Sequence, residues 1–193
     1  MKRSFLALLA ALSLSAPAFA GEAARLFSVR LADSHLTYRL NHKLHKVVGT
    51  ARPSEGRARL LPDGTLQVAV RANVADFDSG NANRDVHMKE ATEANKFPFV
   101  EFKGVASGVK LPDSFPAKVP VVLKGQLSFH GVKKQVEVPL EVLFNSARDI
   151  SAAGRFTISL ESYKVERPSL LMIKVDDALE LETKFLLQPE EGK

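Results

Sequence analysis

The side chains best suited to chemistry are a few histidines and charged residues, and they do not form a catalytic set. His42 and His45 are three positions apart, a spacing that aligns two side chains on a helix but not on a strand. A zinc site needs three or four ligands, and the chain has no cysteine to supply one. Glycine-rich nucleotide-binding motifs and the Gly-x-Ser-x-Gly nucleophile motif are also absent. We therefore expect no catalytic residues, no metal and no cofactor.

A second polar group, formed by Arg84, Asp85 and His87, lies in the longest segment that lacks alternating apolar residues. Asn81 or Asn83 is suited to cap a short helix there, with Asp85 favourable in its first turn. One interpretation is a polar gate at the mouth of a cavity. The other is structural, with Arg84 and Asp85 holding the helix against the rest of the protein. If the protein were a hydrolase or isomerase, Asp85 and His87 would be its acid and base.

Strict alternation of apolar and polar residues dominates the rest of the chain. Each alternating run predicts a strand with one dry and one wet face. Asp63-Gly64 and His130-Gly131 predict tight turns between such runs. The six main runs cover residues 36–40, 66–74, 121–129, 136–144, 150–160 and 179–187.

Prolines and glycines refine this pattern. Pro53 and Pro139 lie within strand-like runs and predict local breaks in the ladder. The dry faces of three strands carry Gly104, Gly125 and Gly154. These glycines either leave space for a ligand or allow the strands to bend, and both interpretations stay open. Long strands, short turns and almost no helix predict an all-β fold, a sandwich or an up-and-down barrel, and the strand length and glycines favour a barrel.

The first twenty residues have the features of a secretory signal peptide. Lys2 and Arg3 precede an apolar run, and Ala18-Phe19-Ala20 is a small-x-small cleavage pattern. We expect cleavage after Ala20 and export to the periplasm. The mature chain then has 25 basic and 22 acidic residues, a formal charge of +3. This mild charge gives no reason to expect a nucleic-acid partner, and it leaves the oligomeric state open.

The charge is unevenly distributed along the mature chain. Residues 39–59 contain six Lys and Arg residues and one acid. This basic segment either contacts an anionic membrane surface or forms an ordinary solvated strand edge.

Four segments resemble the YceI-like polyisoprenoid-binding family. Gly80-Asn81-x-x-Arg84-Asp85-x-His87-Met88 resembles the family's helix, and Phe97-Pro98-x-x-x-Phe102 resembles a strand start. The other two segments are 33–42, similar to the opening strand, and 125–134, similar to a hairpin with His-Gly at its turn. The segment 159–171 departs from the family pattern and indicates a longer final loop.

The resemblance implies an extended, antiparallel, lipocalin-like barrel of about eight strands with one short helix, spanning residues 25–188. A signal peptide (1–20) precedes the barrel and a polar tail (189–193) follows it. It also implies that the protein binds or carries a long isoprenoid or similar lipid without catalysis. The alternatives are a filled barrel that acts as an interaction module and the hydrolase or isomerase described above. We expect the lipid to contact ten inward residues: Leu36, Tyr38, Val68, Val70, Phe102, Leu123, Gly125, Leu127, Phe156 and Ile158.

Overall fold

The structure is a computed structural model that describes residues 23–43, 45–170 and 173–190. The predicted signal peptide and residues 191–193 of the predicted tail lie outside these ranges. One α-helix, α1, covers Ala82–Ala91. The strands are β1 (Arg25–Val29), β2 (His35–His42), β3 (His45–Ala51), β4 (Glu55–Leu60), β5 (Leu66–Asn73), β6 (Phe99–Ala106), β7 (Ala117–Phe129), β8 (Val132–Phe144), β9 (Ile150–Ser159), β10 (Ser169–Leu170), β11 (Ile173–Lys174) and β12 (Ala178–Pro189).

The strands close into an eight-stranded antiparallel barrel. Its order is β1-β4-β5-β6-β7-β8-β9-β12, and β1 returns to β12 through the pairs Phe27–Pro189 and Val29–Leu187. The β2–β3 hairpin extends one wall, because β2 pairs with the part of β12 that β1 does not reach. The prediction of an all-β barrel of about eight strands with one short helix is confirmed.

Alternation along each strand separates the interior from the surface. On β7, Val121, Leu123 and Leu127 are buried, whereas Val122 and Lys124 between them are exposed. Because successive side chains point to opposite faces of a sheet, one strand supplies both the barrel lining and its wet surface.

The two predicted tight turns are present. Leu61 donates its N–H to the carbonyl of Thr65 at 2.9 Å around Asp63-Gly64. In the turn between β7 and β8, His130 and Gly131 have φ values of +50° and +71°. Two successive residues with positive φ are typical of the turn whose twist matches a β-hairpin.

The two predicted proline breaks have different outcomes. Pro53 separates β3 from β4, as predicted. Pro139 does not interrupt β8, where it is paired with Val122 of β7. The predicted break in the ladder is absent on the β7 side and present on the β9 side. The pairing of β8 with β9 ends at the pair Leu140–Gly154. Pro139 is the next residue of β8, so it lies where the edge that faces β9 is no longer paired.

The core consists of two apolar clusters stacked inside the barrel. The lower cluster is centred on Leu123 and Phe144, and the upper cluster on Leu127 and Tyr163. Helix α1 and the segment after β9 lie at the upper end. No helix within the described ranges has the length and apolar character needed to cross a bilayer.

Candidate functional site

The lower half of the barrel encloses an apolar cavity of about 160 Å³. Nearly all its lining is aliphatic or aromatic, because it consists of the inward residues of the alternating strands. Seven predicted ligand contacts line this cavity: Leu36, Val68, Val70, Phe102, Leu123, Leu127 and Phe156.

A larger cavity of about 510 Å³ lies in the upper half, beneath α1. Tyr38 and Ile158, two further predicted contacts, line it. This cavity combines an apolar wall with polar side chains at its helix side, where Asn81, Arg84 and His87 belong to the lining. The protein interior therefore has an apolar lower chamber and an amphipathic upper chamber.

Three side chains form the boundary between the two chambers. Phe77, Val100 and Leu181 line both cavities, and we call them the waist. Sequence analysis did not single out any of them as a contact. The alternation of β12 was the available signal for Leu181, but Phe77 follows a short 3-10 turn (Val74–Asp76) and has no periodic pattern to reveal it.

Helix α1 is fixed at the upper chamber by its first residues. Asn81 caps the helix, and its side-chain oxygen accepts a hydrogen bond from the N–H of Arg84 at 3.1 Å. The Arg84 guanidinium donates to both the hydroxyl and the carbonyl oxygen of Ser79, each at 2.8 Å. Arg84 thus supports the loop and also faces the chamber.

The other two residues of the predicted gate have separate positions. Asp85 accepts hydrogen bonds from the N–H and the hydroxyl of Ser79, at 3.1 and 2.6 Å. His87 is exposed and lines the upper chamber, so it lies at the chamber mouth. The carboxylate of Asp85 is engaged in holding the loop, which is the structural interpretation of that residue.

Tyr38 adds a buried hydroxyl to the lining of the upper chamber. Tyr38 is 9% exposed and its ring packs against Phe77 at a centroid distance of 5.7 Å. Burial raises the pKa of this phenol, the charges of Asp85 and Asp78 raise it further, and Arg84 lowers it. A tyrosine phenol is protonated at neutral pH even at its ordinary pKa of about 10, so the Tyr38 hydroxyl can donate a hydrogen bond to a ligand.

Gly125 and Gly154, two of the glycines considered as ligand space, lie against backbone. A Cβ built on Gly125 lies 2.3 Å from the carbonyl oxygen of Lys103, and one on Gly154 lies 2.4 Å from that of Pro139. These contacts favour the interpretation that glycine lets the strands approach and bend.

Sequence analysis did not identify one polar residue that faces the barrel interior. Thr183 faces inward on β12, lines the lower chamber and is 7% exposed. Its hydroxyl has no hydrogen-bond partner within the described ranges. The run Leu179, Leu181, Phe185 and Leu187 places position 183 on the dry face, so the alternation itself was the missed signal.

Two of the histidines, His42 and His87, line the upper chamber. His42 bonds the carbonyl of Ile173 at 3.0 Å through Nε2, and His130 bonds that of Tyr163 at 2.9 Å through Nδ1. Across the residues that the structure describes, no group of three His, Cys, Asp or Glu side chains is arranged to hold a metal ion.

Comparisons with known proteins match this architecture. The model of the YceI-like domain family matches residues 27–186. A polyisoprenoid-binding domain from Saccharophagus degradans, implicated in plant cell wall breakdown, superposes with a TM-score of 0.67 at 17% identity, covering 85% of this chain and 98% of that one. BcnA from Burkholderia cenocepacia gives a TM-score of 0.64 at 20% identity, covering 82% and 98%. No curated protein matches the sequence.

Proposed function

This chain belongs to the YceI-like domain family, and we propose that it binds and carries a long apolar lipid of the isoprenoid type inside its barrel, without catalysing a reaction. The observation that carries this proposal is the pair of stacked chambers, the lower one lined almost wholly by apolar side chains. The polyisoprenoid-binding domain from Saccharophagus degradans, whose fold is similar, supports the choice of ligand class. The predicted signal peptide supports a periplasmic location.

The driving force is burial of the lipid tail. Each CH₂ group transferred from water contributes about 0.8 kcal/mol, so a long tail needs few polar contacts to bind. Such a tail occupies both chambers only if the waist side chains Phe77, Val100 and Leu181 rotate to join them. Side chains in a core change rotamer more readily than a strand moves, so the barrel walls can stay fixed while the waist opens.

In this proposal, the lipid head group lies at the polar side of the upper chamber. The Tyr38 hydroxyl is an available donor, and Arg84 and His87 line the same chamber. The tail then points down into the lower chamber. In this arrangement the predicted polar gate acts as a head-group contact, while Asp85 secures the loop.

Neither alternative has a specific observation in its favour. A hydrolase or isomerase would use Asp85 with His87, but the Asp85 carboxylate is bonded to Ser79. A filled barrel would lack space, whereas the upper chamber alone holds about 510 Å³.

A chain-length series tests the proposal. Prenyl alcohols from geraniol to solanesol compete for the protein against a fluorescent lipid. We expect affinity to rise with each added isoprene unit until the two chambers are filled and then to level off. Affinity that does not depend on chain length contradicts binding of the tail inside the barrel.

A further inference from the structure

The barrel wall is incomplete at its lower end, between β6 and β7. These strands are paired only from Glu101–Ser128 to Val105–Lys124, whereas β7 pairs with β8 along its whole length. Below Val105 the chain turns away from β7, and Val109 donates its N–H to the carbonyl of Gly64 at 2.9 Å instead. The part of β7 before Lys124 therefore has no strand partner on this side in the described residues.

A groove of about 530 Å³ occupies the resulting gap. Its wall includes Val109, Val119 and Val121, and the same three residues line the lower chamber. Three valine side chains therefore separate the groove outside the barrel from the chamber inside it.

The barrel has a second gap between neighbouring strands, at its upper end, and packed side chains cover this gap. It serves as a comparison for the gap between β6 and β7. There β8 parts from β9 above the pair Leu140–Gly154. The segment that follows β9 packs in the same cluster as both strands, with Tyr163 1% exposed and Val165 5% exposed. Among the described residues, the segment after β6 places only the partly buried Val109 and Leu111 beside the lower groove.

The lips of the lower groove are apolar and its surroundings are basic. Val105 and Val122 lie on opposite lips, and each is 47% exposed. Lys110 lines the groove, and the exposed Lys103 lies two positions before Val105 on β6. Neither lysine has a carboxylate partner within the described ranges. Lys124 is paired with Glu137 at 3.0 Å and Lys118 with Glu141 at 2.9 Å. Exposed valines beside unpaired lysines match an anionic bilayer, in which apolar groups enter the interface and lysines meet lipid phosphates.

The free edge of β7 is poorly suited to a peptide partner. Strand addition requires backbone N–H groups along the edge, and Pro120 in the middle of this edge has none. A membrane surface needs no such ladder.

We propose that the gap between β6 and β7 is a lateral entrance through which lipid passes between an anionic membrane surface and the lower chamber. This inference rests on the proposed lipid-binding function. It places the entry of lipid at the end of the barrel opposite α1. The helix end then holds the lipid head group and is not the route of entry.

Single tryptophans test which surface meets the membrane, because the chain has no tryptophan of its own. Val105→Trp places the probe on the groove lip, and Val86→Trp places it on the exposed face of α1 as the matched control. With vesicles of equal parts phosphatidylglycerol and phosphatidylcholine, we expect a blue shift of fluorescence from the Val105→Trp variant only. A shift from the Val86→Trp variant alone overturns the proposal.

Charge reversal tests transfer through the entrance. Lys103→Glu with Lys110→Glu is expected to slow lipid transfer from the same vesicles about tenfold or more. Lys133→Glu with Lys134→Glu makes the same charge change at the start of β8 and is expected to leave the rate within about twofold of wild type.

Lipid delivered from detergent separates this inference from the proposed function. If all variants load equally from detergent but the groove reversal leaves vesicle transfer unchanged, the entrance proposal is wrong and lipid binding stands. If the wild-type protein does not load from detergent either, the proposed function fails, and the entrance fails with it.

Discussion

Gly104 and Gly125 are directly paired across β6 and β7, and a Cβ built on Gly125 lies 2.4 Å from the Cα of Gly104. No side chain fits at this crossing without moving the backbone. The contact lies one pair above the point where the two strands separate. It brings the strands close immediately before the gap begins, and it explains why position 125 is glycine. A Cβ built on Gly104 lies nearest the Phe102 ring instead, at 2.5 Å.

This contact predicts that Gly125→Ala destabilises the protein. The added methyl meets the backbone of Lys103 and Gly104 on β6, and overpacking of this kind costs about 1–3 kcal/mol. Denaturant unfolding measures the change in free energy. The exposed neighbour Gln126→Ala is the control, with an expected change within about 0.5 kcal/mol. If Gly125→Ala is as stable as wild type, the strands are not in close contact there.

The position of Leu181 at the waist predicts that a larger side chain there weakens the binding of long lipids but not of short ones. Leu181→Phe adds volume between the chambers and is expected to weaken solanesol binding roughly tenfold or more, because the tail can no longer pass from one chamber to the other. Geraniol, which fits in one chamber, is expected to bind as before. Leu26→Phe makes the same substitution at an exposed position and serves as the control. Equal loss for both alcohols would indicate general damage to the barrel.

The buried hydroxyl of Tyr38 predicts that its removal weakens the binding of lipids that have a polar head group. Tyr38→Phe removes the donor but keeps the ring, so we expect weaker binding of prenyl alcohols or quinones and unchanged binding of squalene, which has no head group. A lost hydrogen bond corresponds to about 0.5–1.5 kcal/mol. Competition titrations with both ligand types measure the difference. A parallel loss for squalene would place the role of Tyr38 in packing alone.

Burial of the two tyrosines predicts that the free energy of unfolding falls at alkaline pH. Tyr38 and Tyr163 are the only tyrosines in the chain, and burial raises the pKa of each above 10.0. Above pH 10 the unfolded chain releases phenolic protons that the folded chain retains, so stability falls as pH rises toward the folded pKa values. Unfolding measured across this range should show a smaller fall in the Tyr38→Phe, Tyr163→Phe double variant. An identical fall in both proteins contradicts this assignment.

The buried hydroxyl of Tyr163 predicts that Tyr163→Phe does not lower the stability of the protein. Its hydroxyl is buried and has no hydrogen-bond partner among the described residues. Leaving such a group unpaired costs about 1–3 kcal/mol, so Tyr163→Phe is expected to be neutral or to raise the free energy of unfolding. Thermal unfolding measures this directly. A clear loss of stability would show that the hydroxyl is bonded in solution.

Local patterns predicted the strands, turns and helix cap well. The two-residue period on β7 identifies Leu123 and Leu127 as interior, because alternation depends only on the pleat of one strand. Asn81 was correctly considered as a cap, because capping depends on residues within one turn.

Features that depend on how strands meet were not predictable in the same way. Glycine on a dry face fits both ligand space and close strand approach, so Gly125 was ambiguous until β6 was placed beside β7. The waist joins residues as distant in sequence as Phe77 and Leu181. The gap beside Val122 arises because β6 ends early, and the alternation of β7 continues through it unchanged.

Native mass spectrometry of the protein purified from bacteria, followed by organic extraction of the same sample, is the most direct test of the central claim. We predict a bound species whose mass matches an apolar lipid recovered in the extract. Repeated recovery of ligand-free protein that also fails to take up isoprenoid quinones or polyprenyl phosphates would contradict lipid binding in the barrel.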